Sequence, residues 1–420
     1  MLKIAHIVAT FPPHIGGMGG VVFDEVNALA KAGHDVTVFT LAYPGHDYLQ
    51  QNSQNPLHCP PPNRGRSQLL SPLKGERYRE WYCVVRLHPL IRSGDAGWVP
   101  QLFFRLKGFD IVHLHYPWYG GAEWVLLAAK LRGQKYVVTY HMQAAPTSLF
   151  KKIVKFKYDW FLTKAILRGA AKVLVVDKSL SFRPTPHLRG SGGISPTTTR
   201  SLDYARDDNQ GRAIEFPNPV DTNLFQPRAV TATDVGLPEF EHKKIILFVG
   251  NLMPVKRLDL AIEALLKLPA EVVLLVVGGG YEEARYKKMV SDKNVSARVK
   301  FIGRIEEKQK LAAYYSVATV TVVPSDAESF SLVTLESLAA GTPVVASDIP
   351  GIRARVSDGQ DGFLFTPGSV ASLAEKLNKI LSLSLEERKQ MGERGRAKVV
   401  EKYGIVQHII KLQEIYKSVF

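Results

Sequence analysis

The chain has 420 residues, 45% of them hydrophobic, which is enough for two substantial domains with ordinary cores. Its 54 Lys and Arg against 39 Asp and Glu leave a net charge of +15, which asks for an anionic partner: nucleic acid, an acidic membrane face or a charged substrate. Cys59 and Cys83 are the only cysteines and give neither a disulfide framework nor zinc spacing. No apolar run reaches membrane-spanning length, so a cytoplasmic protein is expected.

Met1 to Val8 is too short an apolar stretch for a secretory signal and reads as a first strand. Phe11 to Gly20 follows as a loop containing Gly16, Gly17, Gly19 and Gly20. Helical spacing then runs from Val21 to Ala32, and a strand from Val36 to Thr40. Strand, glycine loop, helix and strand would suit a dinucleotide, but these glycines do not form G-x-G-x-x-G. Residues 49–79 are rich in Pro, Gln, Asn and Arg without periodicity. They read either as disordered or as a loop on the acceptor side.

A strand over Asp110–His115 sets His113 and His115 on one face. With no further ligand at suitable spacing, buried and hydrogen-bonded histidines are expected there rather than a metal. A helix over Glu123–Leu131 leads to a strand over Tyr136–Tyr140, ending at His141. Ser148–Arg168 interleaves Lys151, Lys152, Lys155, Lys157, Lys164 and Arg168 with aromatic and aliphatic residues. Two readings stand: docking on anionic lipid headgroups at the inner face of the membrane, or a core-packed helix with a solvated basic face. No nucleic-acid module interleaves with the basic residues, so nucleic acid is not an expected partner. After a strand over Lys172–Val176, residues 182–212 break the pattern with Pro184, Pro186, Gly190, Gly192, Gly193 and Pro196. They read as an inserted or altered segment in place of helix.

The second half alternates more regularly. The strand Ile245–Val249 is followed by Gly250-Asn251 and by Lys256-Arg257, ahead of a helix over Leu260–Leu268. Val272–Val277 ends in Gly278-Gly279-Gly280, and further short strands are expected at Phe301–Gly303, Thr319–Val323 and Thr342–Ser347. Such alternation means a parallel sheet with its ligand at the carboxyl ends of the strands. There, Glu328 lies in a strand-to-helix loop and Glu336 on the helix Ser331–Ala340. The amides of Phe330, Ser331 and Leu332 open that helix, where N–H groups lack intrahelical partners and the dipole favours an anion. A loop carboxylate suits sugar hydroxyls, a helix carboxylate suits a ribose, and an ammonium suits a phosphate.

Pro217-Asn218-Pro219-Val220-Asp221, Lys256, the E-x7-E pair, Ala340-Gly341-Thr342-Pro343-Val344 and Asp361-Gly362-Phe363-Leu364 together make the chain resemble the retaining glycosyltransferases of family four. The resemblance implies α/β GT-B architecture: two Rossmann-like domains facing a central cleft, over 1–218 and 219–398, with 399–420 crossing back to the first. It implies that Glu328 contacts the transferred sugar, that Lys256 steadies the diphosphate and that Glu336 holds the ribose. His141 would lie beside the reacting sugar. Gly16, Gly17, Asn251, Arg257, Gly278, Gly279, Phe330, Ser331 and Leu332 complete the donor site. Family members often carry Arg where this chain has Asn251, so a phosphate cation is either missing or supplied by Arg257. The expected reaction is retaining hexosyl transfer from a nucleotide diphosphate sugar to a glycan or lipid-linked hydroxyl, as in polysaccharide biosynthesis. No D-x-D motif is present, so neither metal nor cofactor is expected. The alternatives are a non-catalytic or impaired nucleotide-sugar binder, or an epimerase or hydrolase of the same architecture.

Overall fold

The computed structural model describes residues 1–12, 17–43, 82–141, 158–177 and 213–419. The segments 49–79, 148–157 and 182–212 and Gly16 lie outside the described residues. The chain divides into two compact units, Met1–Phe216 with His408–Phe420, and Pro217–Gln407.

In the first unit the elements run β1 Lys3–Ile7, α1 Gly17–Lys31, β2 Asp35–Leu41, β3 Cys83–Leu87, β4 Ile91–Ser93, β5 Ala96–Trp98, α2 Gln101–Arg105, β6 Ile111–Tyr116, α3 Ala122–Arg132, β7 Tyr136–Tyr140, α4 Lys164–Gly169, β8 Lys172–Val175 and β9 Ala213–Glu215. One sheet of seven strands has the order β3-β2-β1-β6-β7-β8-β9, with every pairing parallel. The inner strands β1, β2, β6 and β7 are buried on both faces along almost their whole length, as a sheet covered by helices on either side requires. The order reverses direction between β1 and β6, where His6 pairs in register with His113.

The second unit contains β10 Lys244–Val249, α5 Leu258–Leu265, β11 Val272–Val277, α6 Glu283–Asp292, β12 Val299–Gly303, α7 Lys308–Val317, β13 Val320–Val323, α8 Leu332–Ala339, β14 Val344–Ser347, α9 Pro350–Arg353, β15 Gly362–Phe365, α10 Val370–Ser382 and α11 Leu385–Tyr403. Its six-stranded sheet has the order β12-β11-β10-β13-β14-β15, again all parallel. This is the doubly wound order, with its switch point between β10 and β13. Helix α11 starts at a capping box in which Ser384 and Glu387 satisfy each other's backbone amides. The last helix, α12 Ile405–Val419, begins in this unit and joins the first from His408 onward.

Several elements differ from expectation. Helix α1 starts at Gly17, inside the glycine run, because Gly19 packs where a Cβ would come within 2.5 Å of the Thr10 carbonyl oxygen. Strands β3, β4 and β5 were not expected, and β4 and β5, of three residues each, are too short for an alternation signal. Helix α5 begins two residues before the expected Leu260, because Arg257 adopts the left-handed conformation (φ 50°) and turns the chain into it. Cys83 is disulfide-bonded, a cross-link not expected from two cysteines alone. Among the described residues no helix is long and apolar enough to cross a membrane.

Candidate functional site

The switch point of the second sheet collects the charged residues. Neighbouring strands β10 and β13 both release their loops at the carboxyl edge. The loop after β10 closes with a single 3-10 turn, Pro254–Lys256, and the loop after β13 carries Glu328. Lys256 Nζ donates to Glu328 Oε1 at 2.6 Å, and Ser325 Oγ donates to the same oxygen at 2.8 Å. The pair is partly open to solvent, with Lys256 26% and Glu328 12% exposed. The Asp326 amide donates to the Val255 carbonyl at 2.9 Å and ties the two loops together. Behind Glu328 stands Gly351: a Cβ there would lie 2.0 Å from the Glu328 carbonyl oxygen, so the loop is held by close backbone approach.

Arg257 is ion-paired as well. Its guanidinium donates to Asp259 at 2.9 Å and to Asp326 at 3.0 Å. Hydrogen bonding to Asp259, first of all, raises its pKa. The guanidinium thereby braces the loop. The basic side chain beside Asn251 is instead Arg304, beyond β12, whose Nη2 lies 3.4 Å from Asn251 Oδ1. Gly278 follows β11 with φ 136°, and a Cβ there would fall 1.9 Å from the Gly250 carbonyl oxygen. The loops after β10 and β11 therefore press backbone against backbone, and Leu252 donates to the Gly279 carbonyl at 3.0 Å.

Helix α8 supplies the second carboxylate. Ser331 precedes it in the left-handed region (φ 57°), and no side chain caps its first turn. Ser331 Oγ bonds Thr334 Oγ1 at 2.8 Å instead. Phe330 is buried beneath the Arg355 guanidinium, 4.1 Å from its ring centre. Glu336 accepts a hydrogen bond from Tyr315 at 2.8 Å. Burial, and then Glu336 itself, raise the Tyr315 pKa well above its ordinary value, so the phenol stays a donor.

In the first unit, His141 is buried at the carboxyl end of β7, and its amide donates to the Tyr116 carbonyl at 2.7 Å. Its ring joins a buried cluster. His141 Nε2 lies 3.2 Å from His115 Nδ1, and His115 Nε2 lies 2.9 Å from His6 Nδ1. His113 sits between Tyr416 and Thr139, at 2.7 Å from each hydroxyl. Desolvation lowers the pKa of His6 and His141 to about 4, against an upward pull from Glu25, and lowers His113 and His115 well below the ordinary value. His6, Glu25, His113 and His115 offer ligand atoms within 4.8 Å of one another. The ring nitrogens of the three histidines have protein partners, while Glu25 Oε2 has none.

The structure thus brings Lys256 and Glu328 into contact and sets Asn251, Arg257, Gly278, Gly279, Phe330, Ser331, Leu332 and Glu336 in the loops and helix starts of the second unit. Gly17 and His141 belong to the first unit. Of the basic stretch 148–168, the described part buries Ile166 and Leu167 and exposes Phe161. Sequence reasoning missed Ser325, Arg304, Tyr315 and Gly351. Ser325, three residues before Glu328, carried a local signal; the other partners are far away in the chain and carried none.

Residues 231–398 match the family described as glycosyl transferases group 1, and residues 15–181 match glycosyltransferase family 4. The chain is 34% identical over 391 residues to the D-inositol 3-phosphate glycosyltransferase of Acidothermus cellulolyticus, covering 88% of this chain and 79% of that one. The protein of the same description from Mycobacterium tuberculosis is 32% identical, over 91% of this chain and 75% of its own. Among solved structures, sucrose-phosphate synthase from Thermosynechococcus elongatus aligns with TM-score 0.73 at 23% identity, covering 100% of this chain and 99% of its own. Anabaena HepE in complex with UDP and glucose aligns with TM-score 0.72 at 16% identity, covering 100% of both. At these identities the structural likenesses speak for the fold alone.

Proposed function

The chain belongs to the group 1 glycosyltransferases of family 4, and on that premise we propose that it moves a hexose from a nucleotide diphosphate sugar to a hydroxyl of a glycan or lipid-linked acceptor. Transfer proceeds with retention at the anomeric carbon and needs neither metal nor cofactor. The observation that carries this reading is the contact of Lys256 with Glu328, 2.6 Å apart at the switch point, beside the uncapped first turn of α8. Lys256 and Glu328 neutralise each other. An incoming diphosphate takes the ammonium and the helix-start amides, while its hexose takes the carboxylate. Glu336, anchored from beneath by Tyr315, receives the ribose hydroxyls.

Cleavage of the bond between the anomeric carbon and the phosphate oxygen leaves an oxocarbenium-like sugar and a nucleoside diphosphate. Lys256 stabilises the charge developing on that leaving group, at a position set before the reaction begins. The acceptor oxygen forms its bond to the anomeric carbon on the same face, and its proton passes to the departing phosphate oxygen. Glu328 orients the hexose and takes no covalent part. The family resemblance gives His141 a place beside the reacting sugar. Work on polysaccharide or lipid-linked glycans at an anionic membrane face is supported by Phe161, 70% exposed within the basic stretch. A phosphorylated polyol acceptor is a second reading, supported by the +15 charge and by the relatives' inositol 3-phosphate description.

Incubation with UDP-, GDP- and ADP-hexoses in EDTA, followed by NMR of the product's anomeric centre, tests the proposal. The expected product keeps the donor's configuration. An inverted product, or activity lost in EDTA and restored by magnesium or manganese, overturns it. Isomerised or hydrolysed donor, with no transfer to any acceptor, selects the epimerase or hydrolase reading.

A further inference from the structure

The histidine cluster forms one continuous chain of hydrogen bonds. From Thr139 Oγ1 it runs to His113 Nε2 at 2.7 Å, from His113 Nδ1 to Tyr416 at 2.7 Å, and from Tyr416 to His6 Nε2 at 3.4 Å. It continues from His6 Nδ1 to His115 Nε2 at 2.9 Å and from His115 Nδ1 to His141 Nε2 at 3.2 Å. A neutral imidazole has one N–H and one lone pair. Between imidazoles each link therefore dictates the next, and along His6, His115 and His141 the protons point either all towards His141 or all away from it.

Glu25, on α1, selects the direction. It is 1% exposed, and its Oε1 accepts from His408 Nε2 at 2.8 Å. Its Oε2 has no hydrogen-bond partner and lies 3.7 Å from His115 Nε2. A carboxylate buried in low dielectric favours the positive end of an N–H dipole over a lone pair at that nitrogen. His115 therefore carries its proton on Nε2 and offers a lone pair at Nδ1. His141 must then donate from Nε2, while His6 donates from Nε2 to Tyr416. We propose that Glu25, acting through His115, fixes His141 in the Nε2–H tautomer and leaves its Nδ1 a hydrogen-bond acceptor for a sugar hydroxyl. Glu25 and His115 are positioning residues, and their link to turnover rests on the role given to His141 above.

Long-range proton–nitrogen correlation on protein labelled with 15N-histidine reads each tautomer, with the His141 signals assigned by their loss in His141→Asn. The wild-type protein is expected to show His141 protonated at Nε2. In Glu25→Gln, His408 keeps the amide oxygen and turns the NH2 towards His115, so the chain reverses and His141 becomes protonated at Nδ1. Turnover is expected to fall about 10-fold, the loss of one hydrogen bond, with the donor KM unchanged. Tyr416→Phe breaks the chain beyond His6 and leaves the His141 tautomer as in wild type. A wild-type Nδ1–H pattern, the same tautomer in wild type and Glu25→Gln, a flip caused by Tyr416→Phe, or stoichiometric zinc bound to the cluster overturns the proposal. Should Glu25→Gln not fold, the wild-type and Tyr416→Phe spectra still decide. Full turnover in His141→Ala, with the tautomers as stated, would instead remove the catalytic reading of His141 and leave the hydrogen-bonded chain standing.

Discussion

In the second unit, charges of opposite sign meet in a partly open loop: Lys256 with Glu328, and Arg257 with Asp259 and Asp326. In the first, His6, His113, His115 and His141 are buried and neutral, linked ring to ring and through the Tyr416 hydroxyl beside the carboxylate of Glu25. Water screens the first arrangement and lets a ligand exchange one of its partners. Burial makes the second unforgiving, since any nitrogen that loses its partner forfeits both the bond and its hydration. An exchangeable pair suits substrate binding, and a locked network suits holding one side chain in one state.

Substitution at the open pair carries the largest expected effect. Lys256→Ala or Glu328→Ala should lower turnover by about 100- to 1000-fold, the usual loss when one preorganised charge is removed from a reacting centre, while melting temperature changes little. A loss of fold in either variant would erase the contrast with the buried network. Glu336→Ala should weaken donor binding by about 30-fold, as loss of a charged hydrogen-bond acceptor does, and spare turnover. Steady-state kinetics that show the same defect in Glu328→Ala and Glu336→Ala would cancel their separate roles.

Acid probes the locked network. Burial places the folded-state pKa of His6 and His141 at about 4, below the ordinary 6.5. Between those values the unfolded chain binds protons that the folded chain refuses. Stability is therefore full above pH 6.5 and is lost as pH falls towards 4, by up to about 1.4 kcal/mol per pH unit for each histidine. Tyr416, Glu25 and His408 face the same rings. Denaturant unfolding at pH 7 and pH 5 checks the slope, and equal stability at both would mean that the histidines are hydrated. The smallest effect is expected at Ser325→Ala, which removes a neutral donor from Glu328 and should lower turnover by about 3-fold.

Several of the second unit's candidate residues were legible in the sequence. Strands Ile245–Val249 and Val272–Val277, the glycines behind them, Lys256 and the two glutamates are local patterns, and each keeps its meaning without knowledge of distant residues. Arg257 shows the limit. Its place beside Lys256 suggested a phosphate cation, but Asp326, remote in the chain, takes part of its guanidinium. Nothing near Glu25 pointed to His408 or Tyr416, which α12 returns to the first unit from the far end of the chain.

What the sequence alone determined was therefore periodicity and spacing: two parallel α/β units and a carboxylate pair on a strand-to-helix turn, because apolar repeat and turn chemistry act over a few residues. Only the tertiary structure decided which charges are exchangeable and which are locked. That depends on partners hundreds of residues apart, and on how much water the fold leaves between them.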